Sequence, residues 1–215
     1  MLALALLVAM ADPVPADLLQ KLAAQDAFID NIGATHTLVI TSDGYEKDGD
    51  GKIAHQSHSV ARQTLKGGKP ATHMTVATKD GVDDLAHAQK MADERDGKPD
   101  PLPSPFAARM QPKYSFSLAE ARADGTVRIA FTPKDAPSTE TVAGDAIVDV
   151  ASGELVKMTS HPSKNPAFVD RLVMILELDA RVDGKRAMSK LTFDGAGGLL
   201  FLKRSGGAVI RFGYE

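Results

Sequence analysis

The sequence predicts a mainly β, α+β chain, a single domain of about eleven antiparallel strands with two helices. Three observations carry this. From Ala34 onward, short segments rich in Thr, Val and Ile alternate with Gly-, Asp- and Lys-Gly-bearing punctuation. The joins are too short for crossovers, so neighbouring strands must run antiparallel. Helical spacing of apolar residues, by contrast, is read in only two places.

The N-terminus reads MLALALLVAMADPVPADLL, where Leu2 to Val8 is an apolar run and Ala9-Met10-Ala11 has the small-x-small form of a signal-peptidase site. The run is far shorter than the roughly 20 residues of a spanning helix. Residues 1–11 are therefore expected to be a signal peptide, truncated at its start because no basic n-region precedes it, and residues 12–215 the single mature domain. Leu18, Leu19, Leu22, Phe28, Ile29 and Ile32 then form one apolar stripe, with Gly33 as the stop. Strands are expected at residues 35–45, 53–65 and 71–78, and a second helix at Val82 to Arg95. Five prolines between Pro99 and Pro112 exclude regular structure there. That stretch reads as a long surface loop pinned by Phe106 and Met110. Eight strands follow, joined by RADG, ASGE, VDGK, FDGAGG and RSGG, whose glycines supply the positive φ of tight turns.

Composition excludes several functions. The chain has 25 Lys and Arg against 28 Asp and Glu, a net charge of −3, and no block of either sign marks it for nucleic acid or an anionic membrane. Cysteine is absent, which removes disulfides, zinc-thiolate sites, thiol nucleophiles and acylation on cysteine. No later stretch is apolar for long enough to cross a membrane as a helix.

Leu172 to Leu176, Leu38 to Ile40 and Leu199 to Leu202 are apolar at every position, whereas a sheet with one face in water should alternate. Both faces are therefore expected to be covered. Helices supply one cover; a second core, another subunit or a ligand-filled cavity would supply the other.

The run Val142 to Asp179 resembles the bacterial outer-membrane lipoprotein-sorting proteins and their LolA/LolB-like relatives. The likeness lies in Val148-Asp149 to Gly153-Glu154-Leu155, in Ser163-Lys164-x-Pro166-x-Phe168-Val169, in Asp48-Gly49-Asp50-Gly51 and in Phe131-x-Pro133. It extends loosely from about residue 14 to the end. The resemblance implies a strongly curved antiparallel half barrel with helices packed on its concave side and a hydrophobic cavity that takes acyl chains. It also favours the cavity among the three covers. The residues expected to line it are Leu38, Ile40, Val76, Phe131, Met174, Leu176 and Phe201, with the helix at 82–95 and the Pro-rich loop as candidate lids.

Residues that could carry chemistry have plainer readings. In EKDGDGKI, residues 46–53, Glu46, Asp48, Asp50 and Gly51 fit part of a calcium loop. However, the twelfth position is Ser57 rather than glutamate and the flanks read as strands, so the stretch is expected to be a hairpin turn. His55 and His58 lie three apart in a strand and face opposite ways. His36, His55 and His73 fall on successive strands and could converge, but the sequence fixes no register and solvated or core histidines are the plainer reading, and Ser160-His161 lacks a nucleophile elbow. No catalytic residue, metal or cofactor is expected. The function expected is a periplasmic, exported carrier or sensor of a lipid or a lipoprotein's acyl chain, with an envelope protein as partner and no nucleic acid. The alternative is a non-enzymatic structural or interaction module of the cell envelope without a ligand.

Overall fold

A computed structural model describes residues 12–96, 103–199 and 202–215, with the backbone alone for Leu199, Leu202 and Lys203. The expected signal peptide and Phe201 lie outside these residues. Helix α1 spans Ala16–Asn31 and buries Leu18, Leu22 and Gln25; a 3-10 turn at Ile32–Ala34 ends it at the Gly33 stop. The strands are β1 (Leu38–Lys47), β2 (Ile53–Lys66), β3 (Lys69–Lys79), β4 (Val82–Asp83), β5 (Tyr114–Ala121), β6 (Thr126–Pro133), β7 (Val142–Asp149), β8 (Leu155–Pro162), β9 (Val169–Glu177), β10 (Ala180–Val182), β11 (Lys185–Ala187), β12 (Lys190–Leu199) and β13 (Leu202–Tyr214), with α2 (Leu85–Arg95) after β4.

Eleven strands form one antiparallel sheet in the order β4-β3-β2-β1-β13-β12-β9-β8-β7-β6-β5, and β10-β11 is a separate hairpin. The sheet is open, since β4 and β5 lie at opposite ends. Its middle is closed by long-range pairing of β1 with β13, from Leu38 opposite Tyr214 to Lys47 opposite Ser205. The connection from β4 to β5 must therefore pass from one end of the sheet to the other, and this sets the position of the Pro-rich segment.

Three elements differ from the sequence expectation. Val82 and Asp83 do not begin a helix; they fold back on β3 through Asp80 and Gly81, both at positive φ, so α2 starts at Leu85. FDGAGG and RSGG are not turns but lie inside β12 and β13. Their glycines serve close approach: a Cβ on Gly207 would stand 2.6 Å from the Phe193 carbonyl oxygen and 3.0 Å from the Tyr45 hydroxyl, a use of strand glycine that resembles a turn signal in sequence. VDGK does make a turn, but as the separate β10-β11 hairpin.

Both edges of the sheet are shielded, as open edges invite pairing with other chains. On β3 the outward backbone groups are met by side chains of α2 and its C-cap. Gln89 accepts the Met74 N–H at 2.7 Å and donates to the Thr72 carbonyl at 3.1 Å, while Asp96 accepts the Thr72 N–H at 2.6 Å. At the other end, the Leu118 N–H donates to the Asp12 carbonyl at 2.8 Å. Helix α2 is thus an edge guard, with no buried residue, and of the two helices α1 alone contributes buried residues to the core.

The main core lies between α1, the Pro-rich segment and strands β5 to β9. It holds Leu22, Phe106, Met110, Tyr114, Ile129, Phe131, Ala146, Val148 and Leu178, with Met174 and Leu176 packed against it. A second cluster, Ile32, Leu38, Val182 and Ala187, joins the end of α1 to the β10-β11 hairpin.

The expectation that both faces are covered does not hold for β9. Met174 and Leu176 face the core, so Val173 and Ile175 point the other way. There they stand opposite Asp194 and Thr192, among the pairs Arg171–Asp194, Glu177–Lys190 and Glu177–Lys157. This face is a lattice of ion pairs with half-buried aliphatic residues between them; long basic side chains can shade apolar neighbours without a second layer.

The same lattice gives a pH dependence. The hydrogen bond from Lys190 holds the Glu177 carboxyl below its usual range, and bonds from His58 and Arg211 do so for Asp43. Because both are depressed in the folded state, their stabilisation is complete above the unfolded carboxylate value of about 4 and is lost as pH falls through the lower folded values. Thermal unfolding midpoints should be flat from neutral pH to about 5 and then decline. Lys190→Met should flatten part of the acid limb, and an identical limb in that variant would show that the pair contributes nothing.

Candidate functional site

The path of the chain creates a large, mostly apolar opening. Helix α1 and the Pro-rich segment lie against the core face of the sheet, and a cavity of about 440 Å³ remains between them and β8, β9 and β12. Leu22, Gln25 and Ile29 line it from α1, Phe106 and Ala107 from the Pro-rich segment, Leu155 and Met158 from β8, Leu176 from β9, then Met188 and Leu191. Asp26, Asp30 and Arg109 also line it; Asp26 is half-buried and the other two are exposed, which places charge at its mouth.

The walls are pinned by hydrogen bonds that hold two elements at once. Gln25, 6% exposed, accepts the Leu155 N–H at 2.6 Å and donates to the Leu155 and Arg186 carbonyls at 3.3 and 3.4 Å. Gln111 donates to the Leu19 and Phe106 carbonyls at 2.7 and 2.9 Å, tying α1 to the Pro-rich segment. Tyr214, its phenol pushed up to about 12 by burial, donates to the Met188 carbonyl at 2.7 Å. Replacing Gln25 by alanine leaves the buried Leu155 amide without its partner, and should cost about 1–3 kcal/mol in denaturant unfolding. A loss below a few tenths would mean that water replaces the side chain.

Of the residues expected from sequence to line a cavity, Leu176 does so and Met174 packs beside it on the same face. Phe131 is fully buried in the main core, its ring 5.7 Å from Phe106 and 6.4 Å from Tyr114. Leu38 is buried in the second cluster with Ile40 packed against it, away from this cavity. Val76 is 42% exposed on β3. The other lining residues were visible to sequence reading only in other roles: Leu22 and Ile29 as the stripe of α1, Phe106 as an anchor of the loop. The two candidate lids also separate. Helix α2 sits at the β3 edge, whereas the Pro-rich segment walls the cavity, and its Pro105 and Phe106 are among the most buried side chains. Residues 103–112, held so deeply at Pro105 and Phe106, form a wall rather than a flap.

Among the described residues no reacting constellation lines the cavity. The histidines do not converge: His36 pairs with Asp183 at 3.1 Å, His55 with Asp80 at 2.8 Å and His58 with Asp43 at 2.7 Å, each at the surface. Among the described residues no three His, Asp or Glu are grouped as metal ligands. The EKDGDGKI stretch joins β1 to β2, and the Asp48 carboxylate accepts the amides of Asp50 and Lys52 at 3.0 and 2.9 Å, closing the turn on itself.

No family model and no curated protein matches the chain. Solved structures do. A domain named for outer membrane lipoprotein sorting, from Vibrio parahaemolyticus, is 12% identical over 90% of this chain and 91% of its own, with a TM-score of 0.43. A DUF1329 family protein from Desulfovibrio piger is 12% identical over 94% and 92%, with a TM-score of 0.41. The Pseudomonas aeruginosa MucA/MucB complex contains a chain 14% identical over 92% and 94%, with a TM-score of 0.28. The first bears the name of the family that the sequence resembles. Among the described residues no helix is long and apolar enough to cross a membrane.

Proposed function

We propose that this protein is an exported, periplasmic carrier or sensor that holds the acyl chain of a lipid or lipoprotein in the cavity between α1, the Pro-rich segment and the sheet, with no catalytic step. The cavity itself carries the reading. About 440 Å³ stands open to the surface here against Leu, Ile, Met and Phe side chains, a volume and an apolar lining within the range of small-molecule sites. Each methylene buried there would gain about 0.8 kcal/mol, so a dozen outweigh much of the several-kcal/mol cost of association. An envelope protein that delivers or receives the lipid completes the proposal.

Purification without detergent, solvent extraction and mass spectrometry should yield acyl species in near-stoichiometric amounts, and the emptied protein should take up a fluorescent fatty acid. If neither occurs, the protein is the alternative, an interaction module with no lipid ligand.

A further inference from the structure

Resting on that reading of the cavity, we propose that the acyl chain is taken up from a lipid bilayer at the end of the sheet that carries Phe168, and that it reaches the cavity along an apolar track between β9 and β12.

The track follows from the register. Residues directly opposite on neighbouring strands share a face of the sheet. Leu176 and Leu191 line the cavity, and on their face come next Met174 opposite Phe193, then Leu172 opposite Gly195. Leu172 and Phe193 are half-buried and belong to neither core cluster. On β13, Ala208 stands opposite Phe193 and Gly206 opposite Gly195, so these positions bring no large side chain against the track. A hydrocarbon leaving the cavity would keep apolar contact along three successive pairs, a run of about 13 Å at the rise of a strand.

Phe168 stands where this track ends. It immediately precedes β9, is 65% exposed and has a φ of 65°, a left-handed conformation that bulky residues rarely adopt. Its loop is held fast: the Phe168 carbonyl accepts the Gly198 N–H at 2.9 Å, the Val169 N–H donates to the Pro166 carbonyl at 3.1 Å, and the Asn165 amide donates to the Asp170 carbonyl at 2.7 Å. A Cβ on Gly197 would stand 2.1 Å from the Phe168 carbonyl oxygen, so β12 carries glycine where the loop presses on it. A ring presented on a fixed loop loses little freedom when it inserts. Ile53, 54% exposed, lies at the same end of the sheet, where β2 leaves its turn. It is four strand positions from β9, or about 19 Å. Apolar side chains on turns that far apart suit the plane of a bilayer surface. Asp50, Lys52, Lys164 and Asp170 are exposed on the same turns, so neither sign dominates and the contact should survive high salt.

Transfer of a fluorescent fatty acid to the emptied protein from vesicles of phosphatidylethanolamine and phosphatidylglycerol tests the route, with the Kd for the same probe added as free monomer measured alongside. The transfer rate should rise with vesicle concentration. Phe168→Asn, a residue that tolerates the left-handed conformation, should lower that rate about tenfold, and Phe168→Leu should restore most of it. Gly195→Leu should slow transfer as much: its Cβ would meet the Arg171 carbonyl oxygen at 3.4 Å and Leu172 at 3.5 Å, ordinary contact, so the side chain occupies the track without a clash. In both slow variants the monomer Kd should stay within twofold of the parent's. A parental rate in Phe168→Asn would overturn the bilayer contact. So would a rate independent of vesicle concentration, which would leave Phe168 as a docking point for a protein. A parental rate in Gly195→Leu, or in Leu172→Gln if the leucine variant does not fold, would overturn the track. Failure of the parent to bind even the free monomer would instead remove the carrier reading.

Discussion

Truncating Phe106 to alanine is expected to destabilise the protein by about 3–5 kcal/mol, measured by denaturant unfolding. The side chain is 1% exposed and forms one corner of an aromatic group, 5.5 Å from the Phe116 ring and 5.7 Å from Phe131. It is also the point at which the Pro-rich segment enters the core, beside Pro105 and the Met110 anchor. Its removal creates a void that close-packed neighbours refill only in part, and it widens the cavity that the ring borders. Met91→Ala on α2 is the control. That side chain is 52% exposed, and its loss should stay within about 0.5 kcal/mol. Should Phe106→Ala cost less than about 1 kcal/mol, the Pro-rich segment would be a loosely laid flap.

Filling the cavity is expected to have the largest effect on binding. Leu176→Trp places an indole where the inner part of an acyl chain would lie, removing room for on the order of three methylenes, about 2–3 kcal/mol and a factor of about 50 in Kd. Because the added ring enters open space, the overpacking cost should be small and the unfolding midpoint should move little. Val76→Ala is the matched comparison, since its exposed position on β3 predicts unchanged uptake and stability. If the tryptophan variant binds a fluorescent fatty acid as the parent does, the ligand does not lie in this cavity. If it fails to fold, Leu191→Trp, on the neighbouring strand β12 beside Leu176 in the same wall, repeats the test from another strand.

Local signals in the sequence set the strand-rich, antiparallel character of the chain. Alternation, turn glycines and the apolar stripe of α1 are local signals, and they led to a mainly antiparallel sheet of about eleven strands with two helices. They also identified EKDGDGKI as a turn, because Asp48 caps its own loop through bonds to residues two and four positions on. What tertiary structure decided were the matters set by distant partners. The glycines of FDGAGG and RSGG look like turns until Phe193 and Tyr45 from neighbouring strands are seen pressed against Gly207. The apolar run at Leu172 to Leu176 reads as two covered faces, since only the register with β8 and β12 reveals the basic and acidic side chains that share the outer face with Val173 and Ile175. The cavity was legible in Leu176 alone. Its remaining walls come from α1, from Phe106 and Ala107 and from β12, which meet because β1 pairs with β13 and the β4-to-β5 connection must then pass from one end of the sheet to the other. A residue's burial follows from what the folded chain brings against it, and long-range pairing leaves no mark within a few residues of the site it builds.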